Sequence, residues 1–181
     1  MSKKKVVLKG KEVENVIDEM VTKISRSHRD TGELVIVGIQ KGGVELAHRI
    51  RKKLQDLTSL ETQMGTLDIN LYRDDWTRIG AKPVVRTTNL PFSIDDKSII
   101  LVDDVLFTGR TVRAALDALT DFGRPKRIEL AVLVDRGHRE LPICAQYVGI
   151  SLNTKLNEHV DVFWKNDGEE DRVEVKVNGK S

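Results

Sequence analysis

Apolar residues recur along this chain at two different spacings, and the spacing assigns most of its elements. Val13, Val16, Ile17, Met20, Val21 and Ile24 fall three and four apart, which predicts an amphipathic helix over residues 11–29. Thr31-Gly32 breaks it. Leu34–Ile39 is a short apolar run, the mark of a strand buried on both faces. Leu46, Ala47, Ile50 and Leu54 then line one side of a second helix over 44–57, joined to that strand by Gln40-Lys41-Gly42-Gly43. Polar and apolar residues alternate through Thr66–Tyr72, which predicts a half-exposed strand. Strand 98–103, helix 110–122 and strand 127–134 follow, with Gly123-Arg124-Pro125 as a helix stop. Short strands are expected near 146–150, 159–164 and 172–177.

Strands alternating with helices argue for an α/β fold, a mostly parallel sheet flanked by helices, with the irregular tail as a small appended lobe. No repeat or linker divides the chain, so residues 1–181 read as one domain. Only 4% of residues are aromatic, so the core has to be built from Val, Ile, Leu and Ala. A formal charge of +2 confines any RNA-binding face to a local patch. The single cysteine excludes an intrachain disulfide and a zinc-type cysteine cluster; Cys144 is expected to be small filling, buried or half-buried. Met1–Lys9 is basic without the apolar stretch of a signal peptide, and no segment reaches membrane-spanning length, so the expected setting is cytoplasmic. His28 and His48 are expected on helix surfaces. Residues 73–93 lose all periodicity while carrying Arg73, Asp74, Asp75, Arg78, Lys82 and Arg86, and loops of that length are usually functional.

The most informative stretch is Ile99–Thr111. Ile99-Ile-Leu-Val102 is an apolar strand, Asp103-Asp104 stands at its carboxyl end, and Thr108-Gly109-Arg110-Thr111 opens the next helix. Ligands of open α/β sheets bind beyond the carboxyl ends of strands. Gly109 permits close backbone approach, and the N–H groups of a helix start hold anions. The hydroxyls of Thr108 and Thr111 add hydrogen bonds to a phosphate, and two adjacent carboxylates suit the hydroxyls of a sugar bearing it. These residues describe a phosphate-plus-polyol site. The other common nucleotide motifs, G-x-x-x-x-G-K-[ST] and G-x-G-x-x-G after a strand, do not occur.

Ile99-Ile-Leu-Val-Asp-Asp-Val-Leu-Phe-Thr-Gly-Arg-Thr111 resembles the phosphoribosyl pyrophosphate (PRPP) signature of type I phosphoribosyltransferases. Asp68–Asp75, Val112–Leu119 and Val134–Pro142 resemble the PyrR family, uracil phosphoribosyltransferases of which many also regulate the pyrimidine operon by binding its messenger RNA. The likeness runs over residues 6–175. It implies the type I phosphoribosyltransferase fold with a small hood, about 135–165 plus the C-terminal strands, and a mobile flap, about 73–93. It implies that Asp103, Asp104 and Arg86 are catalytic, the acid pair meeting the ribose hydroxyls of PRPP. Val105, Leu106, Phe107, Thr108, Gly109, Arg110 and Thr111 would wrap the 5′-phosphate. Gln40, Lys41 and Gly42 would form the pyrophosphate loop, where family members often carry a cis peptide. Arg73 and Arg86 would serve the leaving group from the flap, and Arg136 and Val160 the base. Asp135 is either a base or magnesium contact or an aspartate in a strand-end turn, and His138 reads as loop packing before general base.

The implied cofactor is Mg2+, held with PRPP mainly by PRPP oxygens and water, with Asp103 and Asp104 acting mostly indirectly. The implied partners are PRPP, uracil or UMP, and a pyrimidine-operon leader RNA through Arg136, His138 and Arg139, in a homodimer or larger homo-oligomer without membrane contact. Two departures matter. Gly42 stands where many relatives carry arginine, and Lys41-Gly42-Gly43 instead resembles the hypoxanthine-guanine branch. Cys144 and Ile150 replace the arginine and lysine of RNA-binding members, and fewer phosphate-directed cations weaken RNA affinity and flatten its salt dependence. The alternatives to a uracil enzyme are a purine phosphoribosyltransferase acting on hypoxanthine, guanine or xanthine, and a non-catalytic regulator that senses PRPP or UMP.

Overall fold

Strands buried on both faces and helices apolar on one side assemble into a parallel sheet covered by helices. The computed structural model describes residues 4–74, 87–165 and 170–177 and has this form. Its elements are β1 (Lys4–Lys9), α1 (Lys11–Ser27), β2 (Glu33–Ile39), α2 (Gly42–Leu57), β3 (Glu61–Leu67), a 3-10 turn at Asn70–Tyr72, β4 (Ser98–Leu106), α3 (Arg110–Thr120), β5 (Arg127–Asp135), β6 (Tyr147–Ser151), β7 (Glu158–Phe163) and β8 (Arg172–Val177). Five parallel strands lie in the order β3-β2-β4-β5-β6, and a separate antiparallel sheet, β1-β8-β7, forms the hood.

One face of the main sheet buries Leu34, Ile36, Ile100 and Val102 under Ile17, Met20 and Ile24 of α1 and Leu46, Ile50 and Leu54 of α2. The other buries Val35, Val37, Leu101 and Val132 under Val112, Ala115 and Leu119 of α3. Tyr147 is the one aromatic among the buried core residues described, as the composition demands. The order reverses between β2 and β4: β2 leads outward through α2 to β3, and β4 leads the other way through α3 to β5. Their carboxyl ends therefore leave a crevice, the topological switch point where open α/β sheets bind ligands.

Four expectations change. The strand expected at 66–72 is β3, Glu61–Leu67, because parallel pairing with β2 runs in register from Glu33–Glu61 to Ile39–Leu67 and stops where β2 stops. Beyond it the Asp68 carboxylate accepts the Asn70 N–H at 3.0 Å and turns the chain. Residues 87–93, expected in the flap, include Asn89, which exchanges backbone hydrogen bonds with Thr66 and so satisfies the free edge of β3. Cys144 is exposed, carried on the loop before β6. His28, expected on the surface, is buried at 1% exposure at the end of α1.

His28 is tied down on both ring nitrogens. Nε2 lies 2.6 Å from Glu129 of β5 and Nδ1 lies 3.2 Å from the Thr31 hydroxyl, so the ring locks the end of α1 to the sheet. Replacing it with Leu removes both bonds and leaves the largely buried Glu129 carboxylate short of a partner. A loss of about 1–3 kcal/mol is expected, read as a lower urea midpoint at unchanged slope.

Candidate active site

The crevice is made by three turns that meet above β2 and β4. The first is Gln40–Gly43, whose Gln40–Lys41 peptide is cis. Gln40 Nε2 donates to the Thr87 carbonyl at 3.3 Å, and Lys41 is exposed. Gly42 opens α2 directly beneath the second acid: a Cβ placed there would lie 1.9 Å from Asp104 Oδ2. A Cβ on Gly43 would lie 2.2 Å from the Val102 carbonyl oxygen, so α2 starts in backbone contact with β4. Backbone closeness requires glycine at Gly43, whereas at Gly42 the neighbour is a side chain, the Asp104 carboxylate.

The second turn is the acid pair. Strand β4 runs past it to Leu106, so both aspartates stand on a strand and not in a loop. Asp103 is only 7% exposed. Its Oδ1 accepts the Asp104 N–H at 3.0 Å, and Asp104 Oδ1 accepts the Val105 N–H at 2.9 Å. Burial, reinforced by the neighbouring Asp104 charge, holds the Asp103 carboxyl well above the usual range, while Arg73 pulls the other way. Burial also raises Asp104, with Asp161 of β7 adding repulsion. Two acids kept out of water and next to one another are poised to accept hydroxyl donors or positive charge.

The third turn is Phe107–Thr111. Gly109 takes a left-handed conformation, φ 92°, and Thr108 Oγ1 accepts the Arg110 N–H at 3.4 Å as α3 begins. The first-turn N–H groups of α3 have no carbonyl one turn back and face this bend. A cavity of about 470 Å3 lies here, and Asp103, the 105–112 backbone and Arg73 all border it. Arg73 Nη1 donates to Thr111 Oγ1 at 3.4 Å. The Leu106 side chain is buried in the core and Val105 packs against it, so both can offer only backbone to a ligand.

The remaining expected residues divide. Arg136 is 4% exposed; its guanidinium donates to the Thr154 hydroxyl at 3.1 Å and the Lys155 carbonyl at 3.0 Å, and lies 4.1 Å over the Phe107 ring. Burial lowers its pKa. His138 Nε2 sits 2.6 Å from the Thr154 carbonyl and so carries the proton there. Arg139 bonds the Phe107 and Ile143 carbonyls and pairs with Asp135. Burial works to raise Asp135, but Arg139 and the Gly137 N–H outweigh it and hold the carboxyl low. Asp135 thus serves the strand-end turn, and Arg136, His138 and Arg139, expected to meet RNA, are each engaged by groups of their own chain. Val160 packs on the core from β7. Arg86 lies outside the described residues, as do Asp75, Arg78 and Lys82. Two acids at the cavity, Asp74 and Glu140, lie inside stretches singled out in the sequence, Asp68–Asp75 and Val134–Pro142, but were given no role there.

A phosphoribosyl transferase domain model matches residues 5–169. The bifunctional protein PyrR of Syntrophobacter fumaroxidans is 50% identical over 172 residues, covering 95% of this chain and 92% of that protein. The chain belongs to the PyrR family of phosphoribosyltransferases. The PyrR of Desulfosudis oleivorans is 51% identical over 178 residues, 98% of each chain, and that of Thermus aquaticus 50% over 169, 93% of each. Among solved structures, a hypoxanthine-guanine phosphoribosyltransferase from Bacillus anthracis superposes with a TM-score of 0.67 at 18% identity, covering 82% of this chain and 84% of its own. The hypoxanthine enzyme of Trypanosoma cruzi gives 0.68 at 20%, covering 83% and 78%. The fold of this PyrR-family chain is thus the type I phosphoribosyltransferase fold. Among its described residues no helix is long and apolar enough to cross a membrane.

Proposed function

We propose that this chain joins uracil to PRPP, giving UMP and pyrophosphate, and that it also binds pyrimidine-operon leader RNA in response to UMP. The observation that carries the enzymatic reading is the meeting of Gly42, Asp104 and the phosphate turn at one switch point, which offers a sugar phosphate an anion nest and two hydroxyl acceptors together. Uracil rests on Asp68–Asp75 and Val134–Pro142, and on the PyrR relatives near 50% identity.

In this reading Thr108–Thr111 seats the 5′-phosphate, and Asp103 and Asp104 fix the ribose by its hydroxyls. Uracil N1 attacks C1′ from the hood side as the bond to pyrophosphate breaks, and the N1 proton departs. The cation developing on the ribose is met by the buried acid pair, whose charge is worth most where water is excluded. Gln40–Gly42 border the side from which pyrophosphate leaves, Arg73 reaches in from the edge of the phosphate turn, and Arg86 is the flap candidate for the growing charge. Asp103 and Asp104 are hard oxygen donors that suit Mg2+. Bound with PRPP, that ion would neutralise pyrophosphate. We place the reaction in the cytoplasm and in a homodimer or larger homo-oligomer.

A turnover assay with PRPP, Mg2+ and uracil, hypoxanthine, guanine or xanthine tests the reading. Uracil consumption with the purines left intact is expected; consumption of a purine alone overturns it. Leader RNA binding at moderate salt, with and without UMP, tests the second activity, and binding indifferent to UMP removes it.

A further inference from the structure

Loop 136–143 is fastened onto the phosphate turn along its whole length. Arg136 N–H donates to the Leu106 carbonyl at 3.0 Å, and Glu140 and Leu141 N–H both donate to the Thr108 carbonyl at 2.9 and 3.2 Å. Arg139 adds its bond to the Phe107 carbonyl at 2.8 Å. Gly109 turns its bare face to Ile143, where a Cβ would come within 3.0 Å. All of these meet backbone carbonyls or the bare face of the turn, and none is an ion pair.

One contact differs in kind. Arg110 Nε lies 2.7 Å from Glu140 Oε2, and Arg110 Nη1 lies 2.7 Å from Asp74 Oδ2. Arg110, Glu140 and Asp74 all border the cavity of the phosphate turn. The side chains are 36%, 50% and 38% exposed, so both pairs are wet and weak. A guanidinium at the mouth of an anion nest is thus occupied by two carboxylates. An arriving phosphate carries more charge than either and offers a fork that matches the guanidinium equally well.

We propose that Glu140 holds Arg110 at the mouth of the phosphate turn in competition with the ligand, and that Arg110 passes from Glu140 to the incoming phosphate, loosening loop 136–143. The inference rests on reading Val105–Thr111 as the phosphate site. It supplies what a response to ligand needs: one group with different partners in two states, joining the phosphate site to a surface loop on the hood. Coupling is reciprocal. Whatever binds the loosened loop strengthens phosphate binding by the same factor.

Amide hydrogen exchange on the full chain tests it, with ribose 5-phosphate as the probe. In the parent protein the probe should slow exchange across 105–111 and speed it at Glu140 and Leu141. In Glu140→Gln these two amides should start up to about fivefold faster and respond little to the probe, while the Kd for ribose 5-phosphate tightens roughly two- to fivefold, the worth of one exposed pair. Glu140→Asp, which keeps the charge, should restore the response. A role that is only structural predicts weaker binding in Glu140→Gln, and that result overturns the proposal. Protection of 105–111 with no response at 140–141 overturns the coupling while leaving the phosphate site standing. No protection of 105–111 removes the phosphate reading, and the proposal with it.

Discussion

Replacing Asp103 with Asn is expected to give a protein that melts higher and works far worse. Burial and the adjacent Asp104 raise this carboxyl in the folded state, so the folded chain holds the proton to higher pH than the unfolded chain does. Its contribution to stability is full below the ordinary carboxylate value, about 3.9, and is lost as pH rises through the raised folded value. At neutral pH, where the unfolded chain's carboxyl is ionised, the raised folded value means that this group opposes folding, and Asn, of nearly the same shape, removes that cost. Each kcal/mol recovered should raise Tm by about 2–4 °C. The same change deletes a charged acceptor for the ribose, worth about 1.5–3 kcal/mol, so kcat/KM for PRPP should fall roughly 10- to 100-fold. The gain in Tm should shrink as the measurement moves to acid pH. A melt that is lower at neutral pH, or activity that survives, contradicts this account of the pair.

The second large effect is expected from Gly43→Ala. Its added methyl would meet the Val102 carbonyl oxygen at 2.2 Å and Asp103 Cα at 2.9 Å. Both obstacles are backbone in the central strand, so the start of α2 must move away. Overpacking of this kind costs about 1–3 kcal/mol. It also opens the switch-point crevice, and a displacement near 1 Å between reacting groups can cost about 100-fold in rate. Gly42→Ala is the contrast, because its methyl meets a side chain, the Asp104 carboxylate, which can rotate away. That variant should keep its Tm while KM for PRPP rises. Thermal melts and initial-rate kinetics on the pair separate the two cases, and a Gly43→Ala protein of parental Tm and rate would show that α2 tolerates the shift.

Where the sequence was readable, one local signal sufficed. Leu34–Ile39 and Ile99–Val102 are apolar without interruption because central parallel strands touch helices on both faces, and the acids and glycine that follow stand out against them. Residues 66–72 misled because alternation is a weak sign in a parallel edge strand, where the limits are set by the partner, here Ile39 of β2. Strand β1 was hidden by Lys4, Lys5 and Lys9, whose charges belong to an exposed edge. His28 looked like a helix-end surface residue, and nothing near it in the chain announces Glu129, which the fold brings within 2.6 Å from β5. Glu140 was unreadable for the same reason: its partner Arg110 lies a whole βα unit away, and only the packing of the 136–143 loop on Thr108 unites them.

The hood sheet joins the two ends of the described chain, since β1 pairs with β8 from Lys4–Lys176 to Lys9–Arg172. A strand made before the main sheet thus waits for one made after it. The main sheet is complete once β6 has been made, so the phosphate turn and its acid pair can form while the chain is still being translated. Closing so long a separation adds little to the equilibrium cost, because loop entropy grows only with the logarithm of length, but it delays assembly. The nascent protein therefore completes the turn at Phe107–Thr111 before it completes the hood sheet. On the function proposed above, the ability to hold a sugar phosphate would come earlier than the ability to choose among bases.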